Sequence, residues 1–205
     1  MRLLLGSLMD QVAYTLARSF FFALPFVLAG LIHIVVIKRH LFPSLSRLPL
    51  DAGFATRGRR LFGKNKTVRG AVVTITGITI GVLLQSFFLR SYPGGASLSL
   101  VDFSNTSPLV WGLLLGSGCV IGELPNSFLK RQLDIPPGGR PSNPLLRTVT
   151  WIFDQIDSVI GVLLFASFKT SFPLLTIVLL LGVGLLIHPL GAIVMVRFRL
   201  KTRVA

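Results

Sequence analysis

Three acidic side chains lie inside stretches that are otherwise apolar enough to cross a membrane. They are Glu123, Asp154 and Asp157, out of seven acidic residues in the chain. An ionised acid at the centre of a bilayer costs about 2.5 to 3.5 kcal/mol, so each must face protein, water or a cation. In one interpretation an acid pairs with an arginine such as Arg147 and only fixes helix packing.

The spacing of two of these acids favours a metal site instead. Asp154 and Asp157 lie three residues apart in DQIDSVIG and therefore share one helix face, beside small residues that permit a close approach of another helix. Two carboxylates of like charge are best held together by a cation, and carboxylate oxygens are ligands that Mg²⁺ prefers. The sequence predicts Mg²⁺ as the cofactor.

A second polar face runs along the segment GELPNSFLKRQ. Glu123, Ser127 and Lys130 recur at helical spacing, so an acid, a hydroxyl and a cation lie along one stripe. Pro125 removes a backbone donor in the same segment, and we expect the helix to be kinked or broken there. Broken backbone in a membrane is tolerated where it lines a cavity or is buried in protein. This concentration of polar groups indicates a functional site.

A third candidate is GRRLFGKNKTVRG, which nearly spells a nucleotide-binding P-loop. Gly58, Gly63 and Lys64 fit the pattern G-x-x-x-x-G-K, but Asn65 replaces the Ser or Thr that holds magnesium. The preceding DAGFAT is a poor strand, and the following helix enters the membrane. The segment is therefore not a Walker A motif, and FGKNKTVRG is interpreted as a basic loop that supplies phosphate ligands.

Membrane helices must position all three segments. The chain has 205 residues, 52% of them hydrophobic and 14% charged, a balance too apolar for an ordinary soluble domain. A spanning helix needs about 20 apolar residues, and such runs lie at about 16–37, 71–89, 109–129, 149–168 and 172–196. We therefore predict an all-α, polytopic integral membrane protein with five spans and a single membrane domain over 1–205. Leu4, Leu5, Leu8 and Val12 predict a short interfacial helix before the first span.

Basic residues predict the orientation of the spans. Segments 38–69, 130–147 and 197–203 hold 17 of the 21 Lys and Arg residues, all on one side of a five-span chain. The positive-inside rule then places the N-terminus outside, the C-terminus in the cytoplasm, and the loops at about 38–70 and 130–148 in the cytoplasm. The expected location is the cell (inner) membrane, with the active site facing the cytoplasm.

The order of these motifs resembles a known family. GELPNSFLKRQ, a Pro/Gly-rich linker and then DQIDS are similar to the CTP-dependent phosphatidate cytidylyltransferase superfamily, especially its short archaeal branch, the CDP-archaeol synthases. FGKNKTVRG in the first loop and the five-span layout extend the resemblance from about Leu16 to Val196. Glu123 departs from the Asp that is common in the superfamily, whereas Gln155 agrees with the archaeal branch.

The resemblance implies transfer of CMP from CTP to a lipid phosphate, which gives a CDP-activated lipid and pyrophosphate for phospholipid biosynthesis. It implies that Asp154 and Asp157 hold magnesium, with Glu123 completing the metal site, and that these two aspartates act in catalysis with Lys130 and Arg131. The implied CTP ligands are Asn65, Lys66, Thr67, Arg69, Ser127, Lys130 and Arg131. The implied acceptor is a lipid phosphate of the archaetidic or phosphatidic acid type, and a homodimer fits the small size.

Two other classes of function stay open at this point. Ion-coupled transporters also use intramembrane acids and broken helices, although five spans without an inverted repeat argue against a carrier. A non-catalytic scaffold descended from the enzyme would use its basic loops to bind anionic lipid. Nucleic acid is not expected as a partner, because no base-stacking surface accompanies the basic residues. His33 and His188 are expected to pack or to lie at the interface, and Trp111 and Trp151 to anchor span ends.

Overall fold

Five helices among the described residues are each long and apolar enough to cross a membrane. This confirms the predicted all-α, polytopic fold class. The computed structural model describes residues 2–92 and 94–198, with backbone only for the first four, and the five spanning helices lie within them. Their bounds are α1 (Arg2–Lys38), α3 (Val68–Ser91), α4 (Pro108–Gln132), α5 (Pro144–Ala166) and α6 (Leu174–Arg197), and α2 (Pro43–Ser46) is a single turn. Arg199, Lys201 and Arg203 of the predicted basic tail lie outside the described residues.

Local sequence explains where three of these helices begin. The side chains of Thr67, Ser107 and Asn143 each accept a hydrogen bond from a backbone N–H of the first turn of α3, α4 and α5. Pro108 and Pro144 follow two of these caps at the first helical position, where a missing N–H costs nothing. The predicted loop 130–148 therefore shrinks to 133–143.

A separate helix before the first span and a break at Pro125 are both wrong. The predicted interfacial helix is instead the beginning of α1, which runs without a break from Arg2 to Lys38. Similarly, Pro125 lies inside a continuous α4 that ends at Gln132. An interior proline removes only one backbone hydrogen bond, and packing against neighbouring helices in a membrane compensates that loss.

The spanning helices form a closed ring around a common core. Going round the ring, α1 contacts α3, α3 contacts α4, α4 contacts α5, α5 contacts α6, and α6 returns to α1. Trp111 lies in the core with Ile78 and Leu115, each with at most 1% of its surface exposed. The indole N–H of Trp111 donates to the Asp102 carbonyl oxygen at 2.8 Å. Trp111 is thus a core residue rather than the interfacial anchor that was expected.

Glycines bring α4 and α5 into backbone contact, as the small residues of DQIDSVIG predict. A Cβ added at Gly122 would lie 2.6 Å from the carbonyl oxygen of Asp157, and one added at Gly118 would lie 2.6 Å from that of Gly161. Real Cβ atoms do not approach that closely, so only glycine fits at these positions. Polar side chains one turn further along the two helices are consequently held within hydrogen-bonding distance.

Two connections meet at one end of the ring. Residues 39–67 join α1 to α3 and include β1 (Ala55–Thr56) and β2 (Arg59–Arg60), an antiparallel pair. Residues 133–143 join α4 to α5, and Asp134 accepts a 2.7 Å hydrogen bond from Arg59 Nε. We call this the basic end. The described residues of the connection 92–107, which are all but residue 93, and the connection 167–173 lie at the opposite end.

Candidate functional site

Side chains of α4 and α5 form a carboxylate cluster near the basic end. Asn126 Nδ2 donates to Asp154 Oδ1 at 2.7 Å and to Asp157 Oδ2 at 2.8 Å. Lys130, one turn beyond Asn126, forms an ion pair with Asp154. The structure therefore joins the predicted aspartate pair to the predicted polar face of the third span, and Lys130 rather than Arg147 compensates Asp154.

Helix geometry explains why these four residues meet. Gly122, Asn126 and Lys130 recur every four residues and so lie on one face of α4. Gly122 packs against the backbone of α5 at Asp157, which places Asn126 beside both aspartates. Asn126 was not among the site residues predicted from the sequence, although it lies four residues before Lys130 on the same face of α4.

Asp157 differs from Asp154 in its partners. Its second oxygen accepts the backbone N–H of Ser158 at 2.6 Å, and no basic side chain among the described residues lies within ion-pair distance of it. The Ser158 hydroxyl lies 3.0 Å from Nε2 of His188 on α6. Asp157 is therefore held by an amide and a backbone N–H rather than by an ion pair, and α6 contacts the site through His188.

The basic loop reaches the third acid. Lys66, from the 39–67 connection, forms an ion pair with Glu123 on α4. Burial lowers the pKa of Lys66, but the nearby carboxylates of Glu123, Asp157 and Asp154 outweigh it and raise that pKa above its ordinary value. Lys66 is therefore a half-buried, charged ammonium group beside the acid Glu123.

A cavity of about 180 Å³ opens beside this ion pair. The polar side chains that line it are those of His33, Asn65, Lys66, Thr67, Thr74 and Glu123. His33 belongs to α1 and was expected only to pack. A lone histidine on an apolar helix gives no pattern in the sequence, because its polar neighbours come from the loop and from α4.

A second cavity, of about 380 Å³, lies between the basic loop and the 133–143 connection. Arg59, Arg60, Lys64 and Arg131 contribute its cations, and Asp134 its acid. Arg131 Nε and Nη1 are buried without a hydrogen-bond partner among the described residues. Buried N–H groups of this kind are costly unless an acceptor satisfies them. An anionic ligand would supply that acceptor.

The remaining predicted CTP ligands differ in where they lie relative to the two cavities. Ser127 is buried in α4, and the Thr67 hydroxyl both caps α3 and lines the first cavity. Arg69 Nη1 donates to the Leu41 carbonyl oxygen at 3.4 Å and does not line either cavity. The structure thus brings Asn65, Lys66 and Thr67 together and leaves Arg69 at the edge.

The carboxylate cluster supplies two of the oxygen ligands that Mg²⁺ prefers. Among residues 2–92 and 94–198, no three His, Cys, Asp or Glu side chains converge on one point. Asp154 and Asp157, however, each direct one oxygen at the same Asn126 nitrogen. Mg²⁺ usually takes one or two carboxylates together with substrate phosphates and water. The two aspartates fit that pattern, whereas Glu123, paired with Lys66, stays a predicted ligand.

Comparison with known proteins assigns the chain to a family. A family model described as "CarS-like: CDP-archaeol synthase" matches residues 14–204. The chain belongs to the CDP-archaeol synthase family. Membership confirms the resemblance read from the sequence, and it makes the chain a CTP-dependent lipid cytidylyltransferase that produces a CDP-activated lipid for membrane lipid biosynthesis.

Individual relatives within the CDP-archaeol synthase family agree with this assignment. The CDP-archaeol synthase of Pyrococcus furiosus is 37% identical over 141 residues, which cover 68% of this chain and 73% of the relative. That of Saccharolobus islandicus is 34% identical over 115 residues, 55% of this chain and 54% of the relative. That of Methanococcoides burtonii is 34% identical over 123 residues, which cover 58% of this chain and 64% of the relative. The chain thus spans about half to three quarters of their lengths.

A solved structure supports the fold of this chain. It is that of an intramembrane enzyme for archaeal membrane lipid biosynthesis. The two structures agree with a TM-score of 0.58 at 24% sequence identity, over 84% of this chain and 91% of the other. The chain is accordingly a multi-pass membrane protein with the architecture of that enzyme.

Proposed function

We propose that this chain transfers the CMP group of CTP to the phosphate of an archaetidic acid-type lipid, at a site formed by Asp154, Asp157, Asn126, Lys130 and Lys66. The observation that carries the proposal is the meeting of the two aspartates at one amide, next to a polar cavity. The relatives are CDP-archaeol synthases, which favours an isoprenoid lipid phosphate over phosphatidic acid.

The proposed reaction makes clear demands on the site. An oxygen of the ionised lipid phosphate forms a bond to the α-phosphorus of CTP, while the bond from that phosphorus to the bridging oxygen breaks and pyrophosphate leaves with the electron pair. No general base is required, since the attacking phosphate is already deprotonated. Catalysis then depends on positioning and on stabilising negative charge as it moves to pyrophosphate.

Each group near the cluster has a part in this reaction. Lys130 and Lys66 provide point charges that bind phosphate oxygens, and the Nε and Nη1 groups of Arg131, which have no partner among the described residues, can each donate to a phosphate oxygen. Asn65 and Thr67 contribute an amide and a hydroxyl on the wall of the first cavity.

Mg²⁺ is the proposed cofactor, with Asp154 and Asp157 as its protein ligands. When bound, the ion would neutralise phosphate charge and favour departure of pyrophosphate. Asn126 keeps the two carboxylates side by side for this purpose. An amide can also turn its oxygen toward a cation, since its oxygen and nitrogen ends occupy similar space.

The basic end is proposed to face the cytoplasm, where it would meet CTP. The connection 39–67 and the flanking helix ends hold nine of the 21 Lys and Arg residues, from Lys38 to Arg69. The positive-inside rule favours this side for such a loop and therefore an external N-terminus. The homodimer expected from the resemblance stays a prediction.

Lipid transfer by the purified protein tests the proposal. The full chain in vesicles would receive labelled CTP and Mg²⁺ with unsaturated archaetidic acid, phosphatidic acid or a polyprenyl phosphate, and label in the lipid phase would be counted. We expect incorporation with archaetidic acid that EDTA abolishes. Incorporation only with phosphatidic acid or a polyprenyl phosphate would contradict the lipid assignment, and none with any lipid would contradict the proposed function.

A further inference from the structure

A buried aspartate organises the basic loop without touching either cavity. The side chain of Asp51 is fully shielded from solvent. Its oxygens accept backbone N–H groups from Gly53 at 3.1 Å, Phe62 at 3.1 Å and Gly63 at 3.2 Å. Arg60 adds an ion pair to the same carboxylate. A buried carboxylate with this many donors fixes the loop around it.

The segment that carries the expected nucleotide ligands begins at this carboxylate. Phe62 and Gly63, whose N–H groups Asp51 accepts, immediately precede Lys64, Asn65 and Lys66. At the far end, the N–H of Leu50 donates to the Lys66 carbonyl at 2.8 Å, and the N–H of Val68 donates to the Leu48 carbonyl at 2.8 Å. Both ends of segment 62–67 are therefore anchored to the short stretch 48–51.

The position of this segment is also constrained from the side of α4. Gly63 has φ +93°, and a Cβ there would lie 3.3 Å from Arg131 Cδ and 3.3 Å from Pro137 Cγ. The backbone therefore passes tightly against the end of α4 and the 133–143 connection, in a conformation that favours glycine. A shift of Gly63 would move Lys64 relative to Arg131, and Lys66 relative to Glu123.

We propose that Asp51 is a positioning residue for the nucleotide, which holds segment 62–67 so that Asn65 and Lys66 reach the first cavity and Lys64 the second. The inference rests on the proposed function, because it takes these cavities as the place where CTP binds. Asp51 acts through the loop, since it lines neither cavity. The helical site of α4 and α5 does not depend on it.

Asp51→Asn is the first variant that tests this role. Asparagine keeps the size of the side chain, but its NH₂ group would face donors that need an acceptor. We expect the KM for CTP to rise by about tenfold, because an unsatisfied buried group costs roughly that factor in the population of the correct loop conformation. The kcat and the KM for the lipid should stay within about threefold of wild type.

A matched carboxylate and a second measurement accompany this variant. Asp102→Asn changes an exposed aspartate at the opposite end and should leave all three constants as in wild type. Hydrogen exchange of segment 62–67, followed by mass spectrometry without CTP, should be faster in Asp51→Asn and unchanged in Asp102→Asn. Gly63→Ala displaces the same segment from its other side and should also raise the KM for CTP, including where Asp51→Asn does not fold.

The outcomes separate this inference from the proposed function. Wild-type protein that transfers CMP while Asp51→Asn and Gly63→Ala keep a normal KM for CTP would overturn the inference alone. A loss of kcat together with a lower melting temperature, and no specific change in the KM for CTP, would show a merely structural role and would also overturn it. Wild-type protein without transfer to any lipid phosphate would remove the proposed function, and the inference with it.

Discussion

Asp51 at the basic end and Asp102 at the opposite end each accept hydrogen bonds from the loop that follows them. Asp102 is exposed, and its carboxylate accepts the backbone N–H of Ser104 at 2.8 Å as well as side-chain donors of Ser104 and Asn105. Asp51 is buried, and its partners lead through Gly63 to the loop lysines and to α4. The loop at the opposite end only links its helices to the core, whereas the loop at the basic end also places polar side chains beside the acids of the bundle.

This difference shows how one kind of local structure serves two purposes. At the opposite end the hydrogen bonds link the loop to the core, as the Asp102 carbonyl does with Trp111. At the basic end the loop also contacts Glu123 through Lys66. A matched change at the two ends should therefore alter stability at both but chemistry at only one.

The largest expected contrast is between two aspartates. Asp157→Asn removes a proposed metal ligand, and kcat/KM should fall by about 10² to 10³-fold or more, the range seen when one stabilising group of a transition state is lost. Asp102→Asn should keep full activity. Rates of CDP-lipid formation at fixed CTP and lipid measure both, and equal activity of the two variants would contradict the assignment of the site.

Two lysines give the next contrast. Lys66→Gln removes a charge-assisted contact with phosphate and leaves Glu123 unpaired, so kcat/KM for CTP should fall by about 10- to 100-fold. Lys169→Gln changes an exposed lysine of the 167–173 connection at the opposite end and should have no effect. Steady-state kinetics with CTP as the varied substrate would test this, and a similar loss in both variants would point to a general effect of net charge.

Alanine substitutions at two glycines of α4 distinguish an effect on stability from an effect on catalysis. A Cβ at Gly112 would lie 2.6 Å from Thr79 Cα, and one at Gly122 would lie 2.6 Å from the Asp157 carbonyl. Either alanine variant should destabilise the bundle by about 1–3 kcal/mol through overpacking. Only Gly122→Ala should also lower the kcat of the folded protein, by about tenfold, because it displaces Asn126 from the aspartates. Denaturation curves and kinetics on the same preparations would show the difference.

The smallest expected effect is the pH dependence of the stability that Asp51 contributes. Although burial opposes it, hydrogen bonds from Arg60 and from the backbone N–H groups hold the pKa of Asp51 below its ordinary value of 3.8. A lowered pKa stabilises the fold above that ordinary value, and the stabilisation is lost as pH falls through the folded-state pKa. The melting-temperature difference between wild type and Asp51→Asn should therefore be constant from about pH 8 to 5 and shrink below pH 4. A difference that grew in acid would contradict this assignment.

The sequence alone predicted the structural features that follow from the pattern of a single helix. The five spans, the shared face of Asp154 and Asp157, and the helix contact at Gly161 all follow from composition and periodicity. The ion pair between Lys66 and Glu123 joins residues 57 positions apart, and both residues were named without being paired. The supposed break at Pro125 failed because packing between helices decides whether an interior proline ends a helix.

Other parts of the site could not be read from local pattern. Asp51 was passed over because most of its partners lie nine to twelve residues away in a loop and follow no periodicity. His33 is next to the cavity only because α1 packs beside α3, where a Cβ at Gly70 would lie 3.7 Å from its ring. Asn126 needed the approach of α4 and α5, which the glycines set and which a single helix does not reveal.

The bridge that Asn126 forms bears on how this protein is made. Its amide donates to Asp154 and Asp157, and the ammonium group of Lys130 pairs with Asp154, so both aspartates have partners from the same chain. A newly inserted polypeptide can therefore bring these acids into the bilayer and close its five-helix ring before any cation arrives. If the proposed Mg²⁺ site is correct, folding and metal loading are then separable steps, and protein produced without magnesium should still fold.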